Sequence, residues 1–384
     1  MPGGSKHSGA IKNVPPKGRE GELLEIGGEA ISFARNIVVK KGSAWEIQPR
    51  LFVNDPWELI AEAVHRAVPE KDRDIAHSFR RQAEDYFRAA SLVRELAVRP
   101  VLLYYAFLNL AKTYAIAKGN RNLLGKASHG VSAEPKSGAV LGSLVKFQKG
   151  KGVKVFQELL PYFGGDASIT SRDLRLGDLL PQTLPGHRLW CYATNKAERF
   201  VEVRWFEVLH SSGSGKNEAW LNIHLDRSEA ERLGNSESEA LSGADFRRDF
   251  EVASDAYSDH WTCFQQRTPA TYAADPLEAL AKIDSVVRAR TWETVRIESP
   301  YRKPYVYLCP SAERKTRLPQ LLSVYLLRFF LSSVTRYVPG YFEALLESKF
   351  GPLFSTFISE SPGQFLYLMA SEILGREVSK PAII

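Results

Sequence analysis

Residues 101–111 read Val-Leu-Leu-Tyr-Tyr-Ala-Phe-Leu-Asn-Leu-Ala, apolar on every side of a helical wheel except at Asn109. A helix of this kind belongs at the centre of a core, because no face of it gains from water. Pro100 suits its first turn and Gly119 its C-terminal cap. The preceding segment is amphipathic. Ile75, Phe79, Ala83, Phe87, Ala90, Val93 and Ala97 recur at threes and fours, while Arg80, Arg81, Glu84, Asp85, Arg88 and Arg94 take the opposite face. Before it, Asp55-Pro56-Trp57-Glu58 opens a shorter helix carrying Ile60, Val64 and Val68. The spacing thus predicts a helical hairpin with a buried second arm. The amide of Asn109 must find partners there or cost about 1–3 kcal/mol.

The chain returns to this character near its end. Leu321–Val334 (LLSVYLLRFFLSSV) is too short to cross a bilayer and carries Arg328 at its middle, which predicts a buried helix of a water-soluble core. Pro319 starts it, Pro339 stops it, and Tyr341–Lys349 and Pro362–Leu374 supply two more helices. Between about 187 and 310 the period shortens. Arg188–Ala193, Phe200–Leu209 and Ala219–Leu225 read as strands, followed by a helix at Leu277–Arg290 and strands at Thr294–Ile297 and Tyr305–Leu308. The expected fold is α+β, mainly a helical bundle of N- and C-terminal helices with a mixed α/β lobe inserted between them. The boundaries follow as a flexible basic tail (1–25), an N-terminal helical region (26–165), the lobe (186–312) and a C-terminal helical region (316–384).

Of the 384 residues, 44% are hydrophobic and 25% charged, which excludes a disordered chain. Cys191, Cys263 and Cys309 lie too far apart for a CxxC zinc site or a disulfide framework, and the first twenty residues lack the apolar run of a secretory signal. The expectation is a cytoplasmic protein with no membrane association. No HExxH, EF-hand or GxSxG pattern occurs. Ser211–Asn217 misses a Walker A motif at both ends, with His210 and Asn217 where Gly and Ser or Thr belong. No metal and no cofactor is expected.

The formal charge is +7, and residues 1–160 hold 25 Lys and Arg against 16 Asp and Glu. From Lys112 to Lys154 nine basic residues face a single earlier acid, Glu134, within a Gly- and Ser-rich connection. Such a run attracts RNA or DNA by counterion release, or stays solvated as a soluble loop. Lys112, Lys118, Arg121, Lys126, Lys146, Lys149, Lys151 and Lys154 are therefore the candidate nucleic-acid-binding residues. His129 sits among them, just beyond the buried helix. A histidine flanked by cations has the chemistry to move a proton on an RNA 2′-OH, which nominates His129, Arg121 and Asn109 as a catalytic set.

Tyr86–Ala90, Arg99–Lys112 (RPVLLYYAFLNLAK), Ser128-His129-Gly130 and Tyr325–Pro339 (YLLRFFLSSVTRYVP) together resemble the YaaC-like family of uncharacterised bacterial proteins. More distantly, the helical hairpin resembles the HEPN superfamily, which includes RNA-cleaving toxins, defence effectors and inactive binding modules. The basic connection and the absence of a complete catalytic motif point to a nucleic-acid or polyanion binding or regulatory module, of bacterial stress or phage defence. The alternatives are a metal-independent ribonuclease using His129, and a structural component of an oligomeric assembly.

Overall fold

The structure is a computed structural model, and it describes residues 18–31, 38–42, 44–213, 216–232, 244–253, 260–294 and 303–381. Most of the expected basic tail and of the expected strand at Thr294–Ile297 lies outside the described residues, as do Ser214 and Gly215 of the 211–217 turn.

In chain order the helices are α1 (Trp57–Ala67), α2 (Glu70–Leu92), α3 (Arg99–Ala117), α4 (Val155–Leu159), α5 (Leu176–Leu179), α6 (His187–Thr194), α7 (Arg227–Arg232), α8 (Leu280–Arg290), α9 (Gln320–Tyr337), α10 (Pro339–Glu347) and α11 (Gly351–Leu374). The strands are β1 (Glu22–Leu23), β2 (Glu25–Ile26), β3 (Glu29–Ala30), β4 (Val38–Lys41), β5 (Ala44–Ile47), β6 (Leu51–Phe52), β7 (Val131–Glu134), β8 (Leu144–Phe147), β9 (Leu174–Arg175), β10 (Phe200–Gly213), β11 (Lys216–Asp226), β12 (Phe250–Val252), β13 (Trp261–Gln266), β14 (Ala270–Thr271), β15 (Thr291–Thr294), β16 (Lys303–Tyr307) and β17 (Val378–Ser379).

Helix α3 is buried along its length, from Leu103 to Ile116, and α9 is buried from Gln320 to Val334. Both pack in one core with α1, α2 and α11, where Phe107 of α3 stacks on Phe365 of α11 at 3.8 Å between centroids. The C-terminal helices thus close over the N-terminal hairpin. Arg328 explains an irregularity of α11, whose helix runs through Pro362 instead of starting there. Proline lacks the N–H that would bond the carbonyl four residues back, Ile358. The Arg328 guanidinium, wholly buried between the Phe107 and Phe357 rings, donates to the Phe357 and Ile358 carbonyls at 3.2 and 3.5 Å and to Ser361 Oγ.

The expectation of a mainly helical bundle with an inserted lobe is overturned. Helix accounts for 51% of the described residues, and the middle is a large curled antiparallel sheet of eight strands. Its path is β12-β13-β11-β10-β16-β15, with β1 added to β10 and β14 to β11. The sheet has its own core, in which Val201, Val203, Phe206 and Val208 of β10 and Leu221, Ile223 and Leu225 of β11 meet Ile283 and Val287 of α8. Nor is it a plain insertion, since β1 comes from the start of the chain and Leu24 donates to the Val208 carbonyl at 2.8 Å. The basic connection after α3 also folds, into the antiparallel sheet β7-β8-β9 laid against the helical core. The physical reason is that two long strands, Phe200–Gly213 and Lys216–Asp226, recruit short partners that carry little signal of their own.

A second correction concerns Arg188–Ala193, which is helix α6 and not a strand. Its buried residues His187, Trp190 and Cys191 fall at helical spacing, and Gly186 (φ 92°) and Asn195 (φ 53°) set the left-handed turns that bound it.

Candidate functional site

The connection 119–154 brings His129 back onto the helical core. Ser128 donates to the Val153 carbonyl at 3.0 Å, Gln148 to Gly130 at 2.9 Å and Val155 to Ser128 at 2.9 Å, so residues 128–130 are clamped between β8 and the start of α4. Gly130 is required there. Its φ is +80°, and a Cβ would sit 2.8 Å from Cβ of Lys154.

So held, His129 Nδ1 lies 2.7 Å from the Tyr104 hydroxyl of α3, which in turn lies 3.4 Å from the Tyr325 hydroxyl of α9. Burial pushes both phenols well above the ordinary tyrosine range, so both keep their protons. The assignment that satisfies all three groups has Tyr325 donating to Tyr104 and Tyr104 donating to Nδ1. His129 then carries its own proton on Nε2. Its pKa is lowered, first by burial and then by the positive charges of Arg336 and Lys112. At neutral pH it is an uncharged N–H donor.

Those two cations define the site. Lys112, on α3, is half-buried over the Phe79 ring at 4.7 Å, and burial lowers its pKa. Arg336, in the last turn of α9, donates to the Tyr105 hydroxyl at 3.0 Å and lies over the Tyr105 and Tyr337 rings. Among the described residues neither has a carboxylate within 4 Å. Tyr86 of α2 packs on Tyr105 at 5.5 Å, and Tyr337 is 71% exposed. The result is a half-buried patch of two unneutralised cations, a neutral imidazole donor and three tyrosines. It suits a phosphate flanked by planar groups.

The other nominated residues divide. Asn109 is buried one turn from Lys112, and its Nδ2 donates to Gln82 of α2 at 3.2 Å, which ties the hairpin together instead of facing a ligand. Arg121 pairs with Asp72 at 3.1 Å beyond the far end of α3, about 20 Å along that helix from Tyr104 at 1.5 Å per residue. It does not join His129. Lys149 and Lys151 are exposed in the turn beside the His129 clamp, and Lys126 is exposed just before it. Lys118 lies exposed over Tyr114, Lys146 pairs with Glu134, and Lys154 is buried with its ammonium donating to the Gly150 carbonyl. Tyr104, Tyr105 and Arg336 were not nominated from sequence. The available signal was a basic residue closing an otherwise apolar helix just before Pro339.

Elsewhere, among the described residues, no group of three or more His, Cys, Asp or Glu is placed to hold a metal. His187 and Cys191 lie 3.4 Å apart, but burial pushes the thiol up to about 11 and the imidazole down to about 4. That is the reverse of what a thiolate–imidazolium nucleophile needs. No described helix is long and apolar enough to cross a membrane.

No curated protein and no solved structure matches the chain, so no relative ties it to the HEPN superfamily. A family model described as YaaC-like Protein matches residues 44–373, a span that includes α1–α3, the whole His129 patch and nearly all of α11. The chain therefore belongs to the YaaC-like family.

Proposed function

We propose that this chain binds single-stranded nucleic acid across the His129 patch, with Lys112 and Arg336 holding a phosphate and the tyrosines stacking on bases. The observation that carries the reading is the pair of half-buried cations with no carboxylate partner among the described residues. Holding a cation partly away from water with no counter-charge is unfavourable, and an arriving anion relieves it. The neutral Nε2–H of His129 adds a donor to the same anion. The exposed Lys126, Lys149 and Lys151 extend the positive surface along a strand's path.

Fluorescence anisotropy with a labelled 20-nucleotide RNA and the matching DNA tests it. The expected result is binding that weakens at least tenfold in the Lys112→Ala/Arg336→Ala double variant. Equal binding by the double variant, or none by the parent chain at low ionic strength, overturns it.

Cleavage is the second reading, favoured by the two cations beside an imidazole. The Tyr104 hydrogen bond counts against it, because it occupies the ring nitrogen that would accept a proton. Incubation with total RNA beside His129→Ala decides between them, since a ribonuclease loses cleavage in the variant and a binding module shows none in either.

A further inference from the structure

A second cationic cluster lies well away in sequence from the His129 patch, where the helical core meets the sheet. A cavity of about 490 Å³ opens there between the 164–172 segment, the C-terminal end of α8, residues 245–248 and the stretch 314–319 leading into α9. Among the described residues its wall carries Arg172, Arg248, Arg288, Arg314, Lys315 and Arg317, against one carboxylate, Asp166. Asp166 is engaged. It accepts from Ser168 N and Oγ at 2.8 and 2.7 Å, which holds its pKa below the usual carboxylate range.

The acids behind the wall are buried and are shared out among the guanidiniums. Asp245, 4% exposed, accepts from Arg290 at 2.6 Å and lies 3.5 Å from Arg317 and 4.0 Å from Arg314, and Asp249 is a second carboxylate on Arg290. Arg317 also donates to the Ala289 carbonyl at 2.9 Å. Arg288 is held by Asp284 at 2.7 Å and by Glu372 of α11 at 3.2 Å. These contacts fix the guanidiniums in place without neutralising the cavity. Burial and the nearby charge of Arg290 lower the pKa of Arg317, as expected where positive charge is in excess. Arg172, Arg248 and Lys315 have no carboxylate within 4 Å among the described residues, and all three are exposed at the mouth.

We propose that this cavity is a binding site for a small, multiply charged phosphate compound, with Arg288 and Arg317 as fixed forks and the exposed Arg172, Arg248, Arg314 and Lys315 closing on it. Guanidinium forks match phosphate oxygens two at a time, and several together select ligands bearing several phosphates over orthophosphate. The volume falls within the range of small-ligand sites. Among the described residues the apolar part of the wall is aliphatic, from Ile169, Ala289, Leu318 and Pro319, with no ring to stack on a base. Recognition therefore rests on the phosphate chain.

Isothermal titration of the full chain with inorganic tripolyphosphate, orthophosphate and ATP at 150 mM salt tests this. Tripolyphosphate is expected to bind at one site per chain, at least tenfold tighter than orthophosphate and within about threefold of ATP. The Arg248→Ala/Lys315→Ala variant, whose residues are exposed and lack a carboxylate partner, is expected to melt like the parent and bind tripolyphosphate at least tenfold more weakly. Lys112→Ala/Arg336→Ala is expected to bind it unchanged, which separates this site from the nucleic-acid patch. Failure of tripolyphosphate to bind, parent-like binding by Arg248→Ala/Lys315→Ala, or an equal loss in both variants overturns the proposal. ATP binding tenfold tighter than tripolyphosphate also overturns it, because the base would then be read.

Discussion

Acid should loosen this protein at one identifiable place, His187. The ring is 4% exposed, between Trp190 of its own helix α6 and the edge of Phe200 at 4.7 Å, where the helical core meets the sheet. Its Nε2 accepts the backbone N–H of Arg199 at 2.9 Å, so a proton added there would set two donors against each other. Burial is the main reason its pKa falls from 6.5 to about 4, with the Arg199 charge acting in the same direction. A folded-state value below the unfolded one means that the neutral ring stabilises the fold. That contribution is complete above pH 6.5, shrinks as pH falls through the window from 6.5 to about 4, and is gone below it. At 1.36 kcal/mol per pKa unit it amounts to about 3 kcal/mol in all and about 2.5 kcal/mol between pH 7 and pH 4.5. Urea denaturation followed by tryptophan fluorescence at pH 7.0, 6.0, 5.0 and 4.5 measures it, with His187→Gln as reference. A glutamine carbonyl can accept the Arg199 N–H and does not titrate. The parent should lose about 2 kcal/mol more than the variant over that range. Parallel losses in the two proteins would refute the reasoning.

Three further outcomes follow. If Lys112, Arg336, Lys149 and Lys151 each displace one counterion from single-stranded RNA, the log–log salt slope is about −2.8, against about −1.4 for Lys112→Ala/Arg336→Ala; anisotropy at 50–200 mM salt reads the difference. Gly130→Ala should cost about 2 kcal/mol in denaturant melts, because alanine is strained at φ +80° and its Cβ meets Lys154, and RNA binding should weaken with it as the His129 clamp shifts. Phe107→Ala removes one ring of the stacked pair with Phe365 from a fully packed core and should cost about 3–5 kcal/mol, seen as a lower urea midpoint at unchanged slope.

The helical hairpin and α9 were legible because the signal is carried locally, by the run 101–111 broken only at Asn109 and by the mostly apolar run 321–334 around Arg328. The sheet was legible in its two longest strands and in β16. β1 is two residues, Glu22 and Leu23, with no alternation to read, β12 and β15 are three and four residues long, and β14 gains its strand character from β11, about fifty residues earlier. Arg188–Ala193 looked like a strand because its aromatic and apolar residues crowd together, and only the caps at Gly186 and Asn195 show a helix. At the site, Lys112 and His129 stood out by charge and position. Arg121 stood out equally, yet Asp72, 49 residues earlier, engages it. Arg336 could not be nominated, because its role depends on Tyr105, 231 residues away.

The seam formed by Arg19–Leu24 bears on how the gene can be cut. Arg19 donates from its backbone to Gln265 and from its guanidinium to the Gln266 and Arg267 carbonyls, and Gly21 fits against Trp220 so closely that a Cβ would lie 2.4 Å from the indole. A clone begun at residue 44, where the family match starts, or one carrying 186–312 alone, would strip that ribbon away. Leu209 and His210 would be left as a bare strand margin and the Trp220 ring uncovered, an invitation to stick to other copies. Expression of either fragment should give inclusion bodies, while clones that retain residue 18 onward should stay in solution.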